Sequence, residues 1–117
     1  MLVPAEHTRV YLALGATDMR KAINGLSMLV EGTLKLDPFC GHLFVFCNRG
    51  RRILKILYWD RNGFCLWQKR LEQERFRWPE SAQQVVEIGV RELQWLLEGL
   101  DLRRVQPHRS LQYSTVL

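Results

Sequence analysis

No apolar run in this chain approaches the roughly 18 residues that a membrane span requires. Residues 1–10 show no basic stretch leading into an apolar one, so no secretory signal is expected. Cysteine is scarce: Cys40, Cys47 and Cys65, an odd number in a chain without such a signal. That predicts free thiols and a cytoplasmic protein. There is no C-x-x-C pair, and adding His42 to the three thiols still gives spacings that fit no common zinc pattern, so no metal site is expected. Cys47 and Cys65 sit inside apolar runs, where Cys acts as a small buried hydrophobe. No glycine-rich phosphate loop is present, which leaves no expected cofactor. Neither an internal repeat nor a low-complexity segment is found.

Catalytic groups are equally thin. Nucleophilic catalysis needs a base beside the nucleophile, and spacing gives none of His7, His42 and His108 such a partner. Metal-assisted hydrolysis or strand transfer needs clustered carboxylates. Of the candidates, Asp18 suits a helix start, Asp37 precedes a proline, and Asp60 stands where a turn wants an aspartate. With 117 residues the chain is also too short for a metal-dependent transposase core or a complete tyrosine recombinase. A non-catalytic protein is expected.

What the chain has is an ordinary globular composition, 47% hydrophobic and 25% charged, at a length that predicts one domain. Its net charge is +5, and the distribution is uneven. Residues 49–77 hold nine bases (Arg49, Arg51, Arg52, Lys55, Arg61, Lys69, Arg70, Arg75, Arg77) against three acids (Asp60, Glu72, Glu74). The excess positive charge therefore lies in one segment, as expected for a surface that meets a polyanion.

Periodicity orders the elements. Residues 9–14 read as a buried strand. Thr17 looks like an N-cap, with a helix over 18–36 whose apolar stripe is Met19, Ile23, Leu26, Val30 and Leu34. Gly25 and Gly32 weaken that helix and predict close packing there. Strands follow over 42–48, 52–60 and 64–71, with a short fourth over 75–78, a loop at 80–84 and a helix over 89–100 ending at Gly99. The Asp60-Arg61-Asn62-Gly63 link reads as a type I turn with positive φ at Gly63. Pairing Asp60 with Phe64 puts Leu54, Ile56, Tyr58, Phe64 and Leu66 on a core face. It puts Lys55, Leu57, Trp59, Cys65, Trp67 and Lys69 on the other. The expected fold is α+β: a mostly antiparallel sheet of four or five strands with two main helices, packed mainly on one side. The globular domain is expected over 1–104, with 105–117 as a tail.

On this reading the interface is a basic, tryptophan-containing sheet face. Arg49, Arg51, Arg52, Lys55, Arg61, Lys69, Arg70, Arg75 and Arg77 would neutralise phosphates. Trp59 and Trp67, with Trp78 as a further candidate, would stack on bases or wedge a duplex. Arg49, Arg51 and Arg52 crowd one turn with no acid nearer in sequence than Asp60, so local neutralisation is not expected.

Longer strings carry more information than composition. They are Gly15-Ala16-Thr17-Asp18-Met19-Arg20-Lys21, then residues 37–49 (Asp37-Pro38-Phe39-Cys40-Gly41-His42 through Arg49), Leu57-Tyr58-Trp59-Asp60, Gly63-Phe64-Cys65-Leu66-Trp67, Arg75-Phe76-Arg77-Trp78-Pro79 and Leu97-Glu98-Gly99-Leu100-Asp101. In this order, over residues 9–104, the chain resembles the TnpB-type accessory proteins, the second open reading frame of the insertion-sequence sixty-six family of bacterial mobile elements. The RNA-guided nuclease that shares the name TnpB is a different and much longer protein. The resemblance implies a protein made beside a separate transposase and required for transposition, with no agreed catalytic residues to carry over. Cys47 departs from a basic pattern that the family often shows there, while Arg49, Arg51 and Arg52 keep it. Two functions follow: a DNA-binding accessory factor, or an adaptor that docks on the transposase with little DNA contact.

Overall fold

The computed structural model describes residues 4, 5 and 7–99; the expected tail at 105–117 lies outside them. The order is β1 (Val10–Ala16), α1 (Ile23–Gly32), β2 (Leu43–Cys47), β3 (Ile53–Asp60), β4 (Gly63–Arg70), β5 (Val85–Ile88) and α2 (Val90–Leu97). The strands form one sheet in the order β4-β3-β2-β1-β5. β1 and β2 are parallel and joined through α1, as parallel neighbours must be by a crossover. The other three pairings are antiparallel, giving the mostly antiparallel α+β architecture expected.

Strand alternation sends side chains to two faces, and both are covered. Leu26, Val30 and Leu34 of α1 and its C-terminal turn pack on Tyr11, Ala13, Phe44, Phe46 and Leu57. On the opposite face Leu93 and Leu96 of α2 pack with Phe76 and Trp78 on Val10, Leu12, Val45, Cys47, Leu54 and Ile56. The helices therefore do not share one side, correcting the sequence expectation. The central strands explain why: β2 is buried at every position, Leu43 to Cys47, so it has no solvent face. A strand apolar on both faces needs a layer on each. The residues expected in the core are all buried or packed against one of these two clusters, Tyr58, Phe64, Leu66 and Leu97 among the partly buried ones.

Three local expectations change. The chain over 75–78 alternates inward Phe76 and Trp78 with outward Arg75 and Arg77, which mimics a strand in sequence. It forms no ladder among the described residues, where its one backbone hydrogen bond runs from the Phe76 amide to the Arg51 carbonyl (2.7 Å). The fifth strand is instead Val85–Ile88 on the outer edge of β1. Thr17 is not a cap: it is buried, its amide donates to the Cys47 carbonyl (2.9 Å), and α1 begins six residues later with Ala22 at its N-cap. Asp18 holds Arg20 instead, accepting from its amide (2.9 Å) and guanidinium (2.7 Å), which pulls its carboxyl down to about 2. Gly25 does pack closely, since a Cβ there would meet the Lys21 Cβ at 3.2 Å, whereas one at Gly32 would meet nothing within 4 Å.

Candidate nucleic-acid interface

The β3–β4 register decides which basic residues share a surface. Asp60 pairs with Gly63, not with Phe64, so only Arg61 and Asn62 form the turn, and Arg61 (φ 53°) carries the left-handed conformation in place of Gly63. A slip of one residue exchanges the faces of an entire strand. Trp59 opposes Phe64 and Leu57 opposes Leu66 on the α1 face. Ile56 opposes Trp67 and Leu54 opposes Lys69 on the α2 face. The expected single face of Lys55, Leu57, Trp59, Cys65, Trp67 and Lys69 is thus divided between two layers.

Both lysines serve the fold. Lys55 is 8% exposed, and its ammonium donates to the carbonyls of Met19 and Lys21, 2.9 Å each. It ties the segment before α1 onto the sheet. On the other face the Lys69 ammonium donates to the Leu97 carbonyl (3.0 Å) at the last residue of α2, where a cation also suits the helix dipole. Each ammonium is engaged by backbone carbonyls of its own chain. Trp78 is buried, its indole N–H donating to the Leu14 carbonyl (3.3 Å), and Trp67 is half-buried against the α2-side core. These placements withdraw Lys55, Lys69, Trp67 and Trp78 from the surface that sequence spacing suggested.

Six arginines remain together. The β2–β3 turn supplies Arg49, Arg51 and Arg52, the end of β4 supplies Arg70, and the following segment supplies Arg75 and Arg77. Two backbone bonds bring these pieces to one end of the sheet: Leu71 amide to Arg52 carbonyl (2.8 Å), and Phe76 amide to Arg51 carbonyl (2.7 Å). Neutralisation occurs here after all, from residues distant in sequence. Arg51, left-handed at φ 61°, reaches Glu80 (2.6 Å), and Arg70 reaches Glu72 (3.1 Å). Arg52 is half-buried and donates to the Glu72 carbonyl (3.3 Å). Among the described residues Arg49, Arg75 and Arg77 are exposed and make no ion pair, so they are the arginines of this end with unengaged heads. A pairing across twenty-nine residues, Arg51 with Glu80, leaves no signal in local sequence.

Arg61 lies elsewhere. It tips the β3–β4 hairpin, and eight-residue strands at ~3.3 Å per residue set it about 25 Å from the β2–β3 turn. Beside that tip Trp59, Phe64 and Phe39 form an aromatic trio with ring centroids 5.0–5.2 Å apart. Phe39 is 55% exposed, a surface aromatic that sequence reasoning passed over because it follows a proline in a loop.

The thiols are free: Cys40 exposed, Cys65 half-buried, and Cys47 buried, its thiol pushed up to about 12 by desolvation. Among the described residues no three His, Cys, Asp or Glu side chains come together as a metal site, and no helix is long and apolar enough to cross a membrane.

Comparison with known proteins agrees with the strings quoted from the sequence. Residues 8–107 match the family described as IS66 Orf2-like protein. Two relatives in Sinorhizobium fredii, the uncharacterized proteins y4hO and y4jC, are 41% and 35% identical over 106 residues, which is 91% of this chain and 92% and 91% of theirs. No solved structure matches. An α+β domain with an arginine-rich sheet end and a match along nearly its whole length belongs to the IS66 Orf2-like family, and with that family goes an accessory role in transposition.

Proposed function

We propose that this protein is a DNA-binding accessory factor, holding phosphates at the arginine-rich end of its sheet while a separate transposase performs the chemistry. The observation that carries the reading is the trio Arg49, Arg75 and Arg77, exposed and without an ion pair among the described residues, on segments joined by backbone hydrogen bonds. Arg51, Arg52 and Arg70 lie at the same end of the sheet, held by Glu80 and Glu72. Guanidinium groups suit phosphate oxygens because their planar fork donates in pairs. Such contacts position a protein on a duplex without reading sequence.

A mobility shift at two salt concentrations tests this. The wild-type chain should bind duplex DNA with an affinity that falls steeply with salt. The combined variant Arg49→Ala, Arg75→Ala, Arg77→Ala should stay folded, bind every duplex more weakly by a similar factor, and lose up to about 2.7 units of salt slope, near 0.9 per phosphate contact. An unchanged slope would sink the proposal.

The adaptor reading keeps support from a different place. Phe39 and Met28 are exposed, at 55% and 70%, and Phe39 belongs to the aromatic trio remote from the arginines. Exposed large apolar groups suit a protein partner. On this reading the isolated chain gives no shift at either salt concentration.

A further inference from the structure

Among the described residues the outer edge of β4 is the longest edge without a strand partner, eight residues against four in β5. It contains no proline, and its apolar stretch Phe64–Trp67 is only partly buried. Natural sheets seldom leave such an edge without a device to block pairing. Lysine is a common device, but Lys69 is turned away to the Leu97 carbonyl.

The direction of the free backbone groups follows from the ladder. The Leu71 amide donates to the Arg52 carbonyl, so the pairs in step with it (Leu54 with Lys69, Ile56 with Trp67, Tyr58 with Cys65) exchange the hydrogen bonds between β3 and β4. On β3 the alternate residues bond to β2, as the Asn48 amide to Ile53 carbonyl bond requires (3.1 Å). Hence Phe64, Leu66, Gln68 and Arg70 point their amides and carbonyls outward.

We propose that this edge pairs with the same edge of a second copy, antiparallel about a two-fold axis at Trp67. Parity, use of every outward residue and charge together select that register. A two-fold axis normal to the sheet requires opposed residues to share a face, so their numbers must have equal parity. Every outward residue must meet an outward residue. No two bases can stand opposite each other without cost. With Trp67 opposite its own copy, Phe64 faces the second copy's Arg70, Leu66 faces its Gln68, and Cys65 faces its Lys69. All four outward residues then find partners. Moving the axis to Leu66 sends Arg70 past the end of the strand, and moving it to Lys69 sets lysine against lysine. The chosen register also lays an arginine across Phe64 of the aromatic trio, a favourable cation–π placement.

Sedimentation equilibrium tests the edge. The wild-type chain should move from monomer to dimer across a roughly hundredfold range of concentration. Gln68→Pro removes an amide that bonds to no other described residue, at an edge position where proline is tolerated. It should keep the far-ultraviolet spectrum and thermal transition of the wild type while raising the dimer dissociation constant at least tenfold. Register is read separately with Lys69→Cys. Oxidation should give a dimer linked from Cys65 of one copy to the new thiol of the other, since four residues along one strand put those thiols too far apart to bond within a chain. A wild type that stays monomeric, or a folded Gln68→Pro variant that dimerises as well as the wild type, overturns the proposal. Absence of the Cys65-linked product overturns the register. None of these readouts involves DNA, so the dimer and the DNA-binding reading stand or fall separately.

Discussion

At the scale of single residues the lesson concerns what a basic side chain is for. Arginine and lysine are indistinguishable in a charge count, yet the structure divides them. Both sheet lysines point single ammonium groups at backbone carbonyls, as Arg52 alone does among the arginines of the turn end, where Arg51 and Arg70 form ion pairs and Arg49, Arg75 and Arg77 stay exposed. Lys55 shows the consequence. It is buried, and it satisfies two carbonyls in the segment that leads into α1. Hydrogen bonds from a charged group contribute about 1.5 kcal/mol or more each, so Lys55→Ala should cost about 3 kcal/mol in chemical denaturation. At temperatures where the variant remains folded, the salt slope of DNA binding should be that of the wild type. A drop in slope with unchanged stability would instead restore Lys55 to the phosphate-contacting set. The sequence could not separate these roles, because the partners of Lys55 are backbone groups thirty-four and thirty-six residues away.

Elements were more legible than their pairing. The apolar stripe of α1, the three consecutive strands β2, β3 and β4 and the Gly99 stop of α2, in the left-handed conformation at φ 87°, can all be read from periodicity and turn residues. What periodicity does not carry is the length of a turn. Asp60-Arg61-Asn62-Gly63 fits two registers, and the side-chain set of β4 changes face between them. The choice falls to packing: Phe64 and Leu66 complete the α1-side core with Leu57, while Trp67 meets Ile56 on the side of α2. β5 escaped notice because it is four residues long and follows a polar loop, and α1 starts late because Thr17 is buried rather than capping. Helix ends also make a sharp comparison among glycines. The Glu92 carboxylate accepts from the Gly89 amide (2.8 Å) at the start of α2, and a Cβ at Gly89 would lie 2.6 Å from that oxygen. Gly89→Ala should displace the cap and cost about 1 kcal/mol. Gly32→Ala, where a Cβ meets nothing and φ is ordinary, should raise stability by about 0.5 kcal/mol. Thermal melts of the two variants moving in the same direction would contradict this account of α1 and α2.

For the molecule as a whole, the sheet acts as a spacer between unlike ends. One end gathers arginines from the β2–β3 turn, from β4 and from the 75–77 segment; the other carries the hairpin tip with Trp59, Phe64 and the exposed Phe39. Two covered faces leave the ends and edges of the sheet as the surfaces open to partners. The two candidate functions thereby fall on different regions and can be tested one at a time. Phe39→Ser removes the exposed ring from the trio, and because that ring is 55% exposed the stability cost should stay below about 1 kcal/mol. If DNA is held at the arginine end, this variant should bind duplex DNA with the affinity and salt slope of the wild type and support transposition in a donor-plasmid assay. If the protein works by docking on the transposase through the aromatic end, Phe39→Ser should lower transposition while the triple arginine variant leaves it unchanged. Loss of transposition in both variants, with DNA affinity reduced only in the arginine one, would mean that the two ends act together, the arginines on the duplex and the aromatic tip on the protein that cuts it.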